Sequence, residues 1–138
     1  MLAQGSGVYV TVGDPAKVTG KRNASVETKI PLSVQSGYHV QSDKPSEEYL
    51  IPLKLTWTSP GALQPQKVTY PKPTMQKVGD QSLSVFTGNF DLTVSFKVAG
   101  NAQAGPGSAA GKLRYQACND RACFPPKTLD VTVPYSIQ

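Results

Sequence analysis

Cys118 and Cys123 are the only cysteines in this chain of 138 residues, set in the run Tyr115-Gln-Ala-Cys-Asn-Asp-Arg-Ala-Cys-Phe-Pro-Pro126. With no other thiol to pair with, they bond to each other or stay free. A bridge closing a ring of about six residues restricts the unfolded chain little: roughly 2 kcal/mol, against about 4.7 for a hundred-residue loop. As a staple the position is poor. As a redox pair it is better placed, because Arg121 between the sulfurs, with Arg114 and Lys127 close in sequence, favours thiolate over thiol. Asp120 opposes that field. Leu113 to Cys118 reads as a strand running into a turn, and Phe124-Pro125-Pro126 stiffens the exit, so disulfide distances are reachable there. An inert hairpin disulfide is the competing reading, and on these residues alone both stay open.

If the pair is active, position assigns the roles. Cys118 ends a strand and suits a shielded resolving thiol. Cys123 follows a polar turn, nearer the rim and closer to Arg121, and suits the attacking one. Other chemistries fare worse. Zinc wants four ligands, and one histidine with two cysteines in a C-x4-C spacing falls short, so no metal is expected. Hydrolysis lacks a Gly-x-Ser-x-Gly elbow. His39 activating a thiol across the sheet is conceivable, but without an orienting third group a loop histidine after Tyr38 is the plainer reading. Trp57 falls on the apolar face of its strand, as a core residue would rather than a sugar-stacking platform. Net charge is +5, yet the basic residues are scattered and no aromatic-basic ladder appears. We therefore expect no nucleic-acid partner, no cofactor and no small-molecule substrate.

The elements that must position the thiols follow a period of two. Ala24, Val26, Thr28, Ile30, Leu32 and Val34 share one face. Ile51, Leu53, Leu55 and Trp57 form a second set, and Phe90, Leu92, Val94, Phe96 and Val98 a third. Leu129, Val131, Val133, Tyr135 and Ile137 form a fourth, and Val8, Val10 and Val12 a shorter one. Strict alternation means one buried and one wet face, as in antiparallel sheets. With apolar residues at 38%, and 12 Gly and 12 Pro punctuating the runs, the pattern predicts an all-β, immunoglobulin-like antiparallel β-sandwich, with a closed barrel as runner-up. Pro31, Pro52 and Pro134 interrupt alternating runs and suggest edges or bulges. Ala99 to Gly111 reads as a flexible connection. Tyr70 to Ser82 reads as a long loop ahead of a strand at Leu83 to Phe86, of the kind that is often functional. No apolar run is long enough for a membrane span. Length and clean strand ends fit one domain over residues 1–138, cut from a longer protein; Met1 to Gly7 could be a start codon fused to a mature sequence.

The Tyr115-Gln116-Ala117-Cys118 and Cys123-Phe124-Pro125-Pro126-Lys127-Thr128 strings resemble the cysteine motif of the amino-terminal periplasmic domain of the thiol:disulfide interchange protein DsbD. More widely, they are similar to the disulfide bond corrector domain family. Gly37-Tyr38-His39-Val40, Asp43-Lys44-Pro45, Glu48 to Pro52, Tyr70-Pro71 and Ser84 to Gly88 match in the right order, so the resemblance runs over roughly residues 24–134. It implies an immunoglobulin-like fold with a redox pair at one end, outside the cytoplasmic membrane, in a whole protein that could tether it there. Cys118 and Cys123 would carry thiol–disulfide exchange as the redox domain of a protein-disulfide reductase, in electron transport of the kind that serves cytochrome c biogenesis. Electrons would pass from a transmembrane thiol electron transporter to thioredoxin-like or other periplasmic thiol proteins. Tyr38, Tyr115, Arg121 and Phe124 are the expected partner-facing residues, with a core role at least as open to Tyr38 and Tyr115. The segment with Val78, Gly79 and Asp80 corresponds to a cap that shields the pair. Two departures stand: the cysteine spacing is one shorter than in the best-known member, and the cap tip lacks its aromatic.

Overall fold

The computed structural model describes residues 9–138, so Val8 of the first alternating set, like the Met1 to Gly7 opening, lies outside the described residues. The described chain is all β. Its strands are β1 (Val10–Val12), β2 (Val18–Gly20), β3 (Ser25–Val34), β4 (His39–Gln41), β5 (Lys54–Ser59) and β6 (Leu63–Thr69). They continue with β7 (Thr74–Val78), β8 (Gln81–Phe86), β9 (Asn89–Val98), β10 (Gly105–Tyr115), β11 (Ala117–Cys118) and β12 (Lys127–Ile137). They form three sheets, ordered β1-β3-β9-β6, β2-β12-β10-β5 and β11-β4-β8-β7. All pairs are antiparallel except β2 on β12. The first two sheets make the immunoglobulin-like sandwich; none closes into a barrel.

The alternating faces meet as expected. Ile30 and Leu32 of β3, Leu92, Val94, Phe96 and Val98 of β9, Leu113 of β10 and Val131 and Val133 of β12 are all buried in one core. Phe96 meets the Trp57 ring edge-on at 4.9 Å, joining the first sheet to the second. Trp57 is thus a packing residue. Pro31 sits inside a paired strand rather than on an edge, and its position explains why that is tolerated. Gly13 N–H donates to the Pro31 carbonyl just where β1 has ended, so the missing proline N–H faces a side with no ladder partner. Pro52 lies in the connection before β5, and Pro134 lies in β12 one residue before its pairing with β2 begins.

Two sequence-based expectations are corrected. The Gly- and Ala-rich stretch from Ala99 to Gly111 is not a flexible connection throughout: from Gly105 it is strand β10, paired residue by residue with β12 from Ile137 to Lys127. Small residues are required there because the Tyr135 ring crosses the strand. A Cβ placed on Gly107 would lie 2.5 Å from the Tyr135 ring and hydroxyl, and that hydroxyl accepts from the Ala62 N–H at 3.0 Å. Gly107→Ala should therefore displace Tyr135 and destabilise the domain by about 1–3 kcal/mol, read as a lowered denaturation midpoint. An unchanged midpoint would show that the ring shifts freely. The second correction concerns Tyr70 to Ser82, which is a β-hairpin and not a loop. Thr74–Val78 pairs with Gln81–Val85, and Gly79 (φ 62°) with Asp80 makes the turn.

The third sheet positions the site. Strand β4 pairs with β8 on one side and β11 on the other. Val40 and Phe86 root it in the sandwich core. Leu83 and Val85 on the other face of β8 pack with Leu50 and Val78 in a small separate cluster. Serines tie the Ser42 to Leu53 segment to β8: the Ser42 and Ser84 hydroxyls are 2.8 Å apart, and Ser84 N–H donates to Ser46 Oγ at 3.0 Å.

Candidate functional site

Cys118 and Cys123 are joined in a disulfide, their Cα atoms 4.0 Å apart, so the described chain has no free cysteine. The turn between them is shaped by Asn119. Its Oδ1 accepts from the N–H groups of Arg121 at 2.8 Å and Ala122 at 2.9 Å, a local substitute for ladder bonds. Backbone bonds from Asn119 N–H to the Ala122 carbonyl and from Phe124 N–H to the Ala117 carbonyl close the hairpin on both sides. The two sulfurs differ sharply in access. Cys118, on the edge strand β11 of the third sheet, is 1% exposed, whereas Cys123, just past the turn, is exposed.

A cleft of about 200 Å³ lies over the pair, lined on one side by Cys118, Asn119, Arg121, Ala122 and Cys123. Val78, Gln81 and Leu83 of the β7–β8 hairpin face it from the other, with Tyr49 and Leu50 beside them. Of the three expected cap residues, Val78 lines the cleft, while Gly79 and Asp80 form an exposed turn beyond it. Gln81 extends the rim by donating to the Tyr49 hydroxyl at 3.4 Å, and Tyr49 is 66% exposed.

The partner-facing residues expected from sequence divide. Arg121 is exposed on the turn. Tyr38 and Phe124 are half-buried and share an aromatic cluster with Tyr9, which stacks on Phe124 with centroids 5.1 Å apart and lies 4.5 Å from Tyr38. Tyr115 is the correction. It is 1% exposed and belongs to the core, where burial raises its phenol pKa against the lowering effect of a backbone hydrogen bond at Tyr9. It offers no surface to a partner. His39 is also corrected: it is not a loop residue but begins β4, fully buried and paired in register with Cys118. Burial lowers its pKa, so the imidazole is held neutral.

Sequence reasoning passed over two glutamines. Gln41 lies two residues beyond His39 and therefore on the same face of β4. Its Nε2 donates to Cys118 Sγ at 3.4 Å. Gln116 clamps the approach to the disulfide: its Oε1 accepts from Ile51 N–H at 2.9 Å and its Nε2 donates to the Phe124 carbonyl at 3.3 Å. The usable signal was positional, a glutamine two residues before Cys118.

Residues 10–134 match the family described as "Thiol:disulfide interchange protein DsbD, N-terminal". The N-terminal periplasmic domain of ScsB from Proteus mirabilis is similar in structure, with a TM-score of 0.66 and 13% identity over 96% of this chain and 48% of that one. The chain thus spans about half the length of that ScsB chain. The DsbD N-terminal domain of Neisseria meningitidis in its reduced form gives a TM-score of 0.50 at 17% identity, over 99% of this chain and 96% of that one. At these identities the likeness is one of fold. No curated protein sequence matches the chain.

Proposed function

This chain belongs to the family of the DsbD N-terminal domain, a thiol:disulfide interchange domain, and from that premise we propose that its Cys118–Cys123 pair shuttles reducing equivalents outside the cytoplasmic membrane. The electrons come from a transmembrane thiol transporter and go to oxidised periplasmic thiol proteins of thioredoxin-like kind. The ScsB domain of similar fold is periplasmic. The observation that carries the reading is the asymmetry of the two sulfurs: one exposed on a polar turn beside Arg121, the other buried behind it. An exchange protein needs that arrangement, and a hairpin staple does not.

In this mechanism the Cys123 thiolate of the reduced domain attacks a partner disulfide and forms a mixed disulfide. Cys118 then attacks Cys123 Sγ, regenerating the intramolecular bridge and releasing the partner as its dithiol. The partner enters over Tyr49, Arg121 and the Tyr9–Tyr38–Phe124 cluster. The β7–β8 hairpin acts as the cap, with Val78 in the place where an aromatic would stand. Equilibration of the pair against defined redox buffers tests the reading. A potential between roughly −120 and −270 mV is expected, the range of exchange proteins. A value below about −300 mV would mark an inert structural bridge.

A further inference from the structure

Among the described residues, two buried side-chain atoms find no hydrogen-bond partner: His39 Nε2 and Gln41 Oε1. Both belong to β4, on the face that Cys118 shares. Directly paired residues of antiparallel strands hold their Cβ atoms about 4.5–5.5 Å apart, and His39 is the register partner of Cys118. Gln41 reaches the Cys118 sulfur itself. Unpartnered buried polar groups are rare in native proteins and call for an explanation. Both residues share a face of the sheet with Cys118, whose sulfur carries no hydrogen while the disulfide is closed and gains one when it opens.

We propose that His39 is the proton acceptor that activates Cys118 for the resolving step, with Gln41 holding the sulfur in line. This deepens the exchange mechanism above and rests on it. In the mixed disulfide Cys118 is a thiol, which must lose its proton to attack. His39 Nε2 receives that proton as the Cys118 sulfur attacks Cys123 Sγ. The Cys118–Cys123 bond forms, and the bond between Cys123 and the partner breaks. The electron pair leaves on the partner sulfur, and the imidazolium returns the proton to that thiolate or to solvent. In the reduced resting state the Cys118 S–H has an acceptor waiting in Gln41 Oε1 or His39 Nε2. Burial keeps the imidazole neutral, as an acceptor must be. The other titratable side chains lining the cleft are Tyr49 and Arg121, with Tyr38 adjacent in the chain.

The test is stopped-flow reaction of the reduced domain with dithiobis-nitrobenzoate. A first equivalent of thionitrobenzoate reports attack by Cys123; a second reports resolution by Cys118. In the unmodified domain the second phase should be flat near neutrality and fall at acid pH as the imidazole protonates. His39→Gln should leave the first phase within about twofold and slow the second by about tenfold or more at pH 7. Its rate should then climb tenfold per pH unit and recover in alkali, where the thiol ionises unaided. His39→Asn serves if the glutamine variant does not fold. A second phase unaffected by either substitution, or slowed equally at every pH, overturns the role of His39. So does an unmodified domain whose second phase rises steadily through neutrality with no plateau. Absence of a rapid first phase would instead sink the exchange reading itself, so the two failures are told apart.

Discussion

Cys123→Ser should abolish exchange with an oxidised thioredoxin-like protein, while Cys118→Ser should complete the first step and stop there as a trapped mixed disulfide. The difference follows from access. Cys123 is exposed on a turn whose backbone is fixed by Asn119 and whose flank carries Arg121. An incoming disulfide can align with it. Cys118 is covered by its own sheet, with Gln41 against its sulfur, and can reach only Cys123. Without Cys118 no internal attack displaces the partner, so the adduct persists until an external thiol arrives. Non-reducing electrophoresis with mass mapping of the bridge decides the matter. An adduct formed through Cys118 in the Cys123→Ser protein would reverse the two roles.

The largest stability effect should come from Phe96→Ala. This ring is fully buried near the end of β9 and packs edge-on against Trp57 of the facing sheet. Removing it costs the transfer of a large apolar group and leaves a cavity that rigid flanking strands cannot close, about 3–5 kcal/mol in all. A domain stable by about 5–15 kcal/mol loses much of its margin. For a chain of this length the melting temperature should fall by about 10–17 °C. Because Phe96 does not line the cleft, exchange rates measured well below the transition should persist. A fall of less than about 4 °C would show that the sandwich collapses readily around the gap.

Much of the fold was legible because a half-buried strand writes its two faces into alternate residues. Ile30, Leu32, Leu92, Val94, Phe96, Val131 and Val133 were assigned to the core on that basis, and all are buried. Where the signal is absent, the reading failed in a physical way. Gly105 to Gly111 carries almost no side chain, so a strand made thin to accommodate Tyr135 looks like a linker. Thr74 to Val78 is polar on both faces because no residue of β7 is fully buried, leaving no alternation to detect. At the site the cysteines announced themselves through rarity and spacing. Tyr115 misled because a tyrosine beside a functional cysteine suits a binding surface as well as a core. His39 was weighed as a thiol activator and set aside as a loop residue, and Gln41 went unread, because their relation to Cys118 is a strand pairing across more than seventy residues, which local spacing does not encode.

Strand β7 has one neighbour, lies at the sheet edge, and contributes only the partly buried Val78 to a small cluster detached from the main core. Its hold on the molecule is therefore weaker than that of the sandwich strands. Proteins open in cooperative units whose free energies range from near zero to that of global unfolding. The hairpin belongs at the low end of that range, and β3, β9, β10 and β12 at the high end. Native-state amide exchange in β7 would then proceed by local fraying while the sandwich stays protected. Uncovering the sulfurs for a partner is, in these terms, a frequent sub-global excursion that leaves the domain folded.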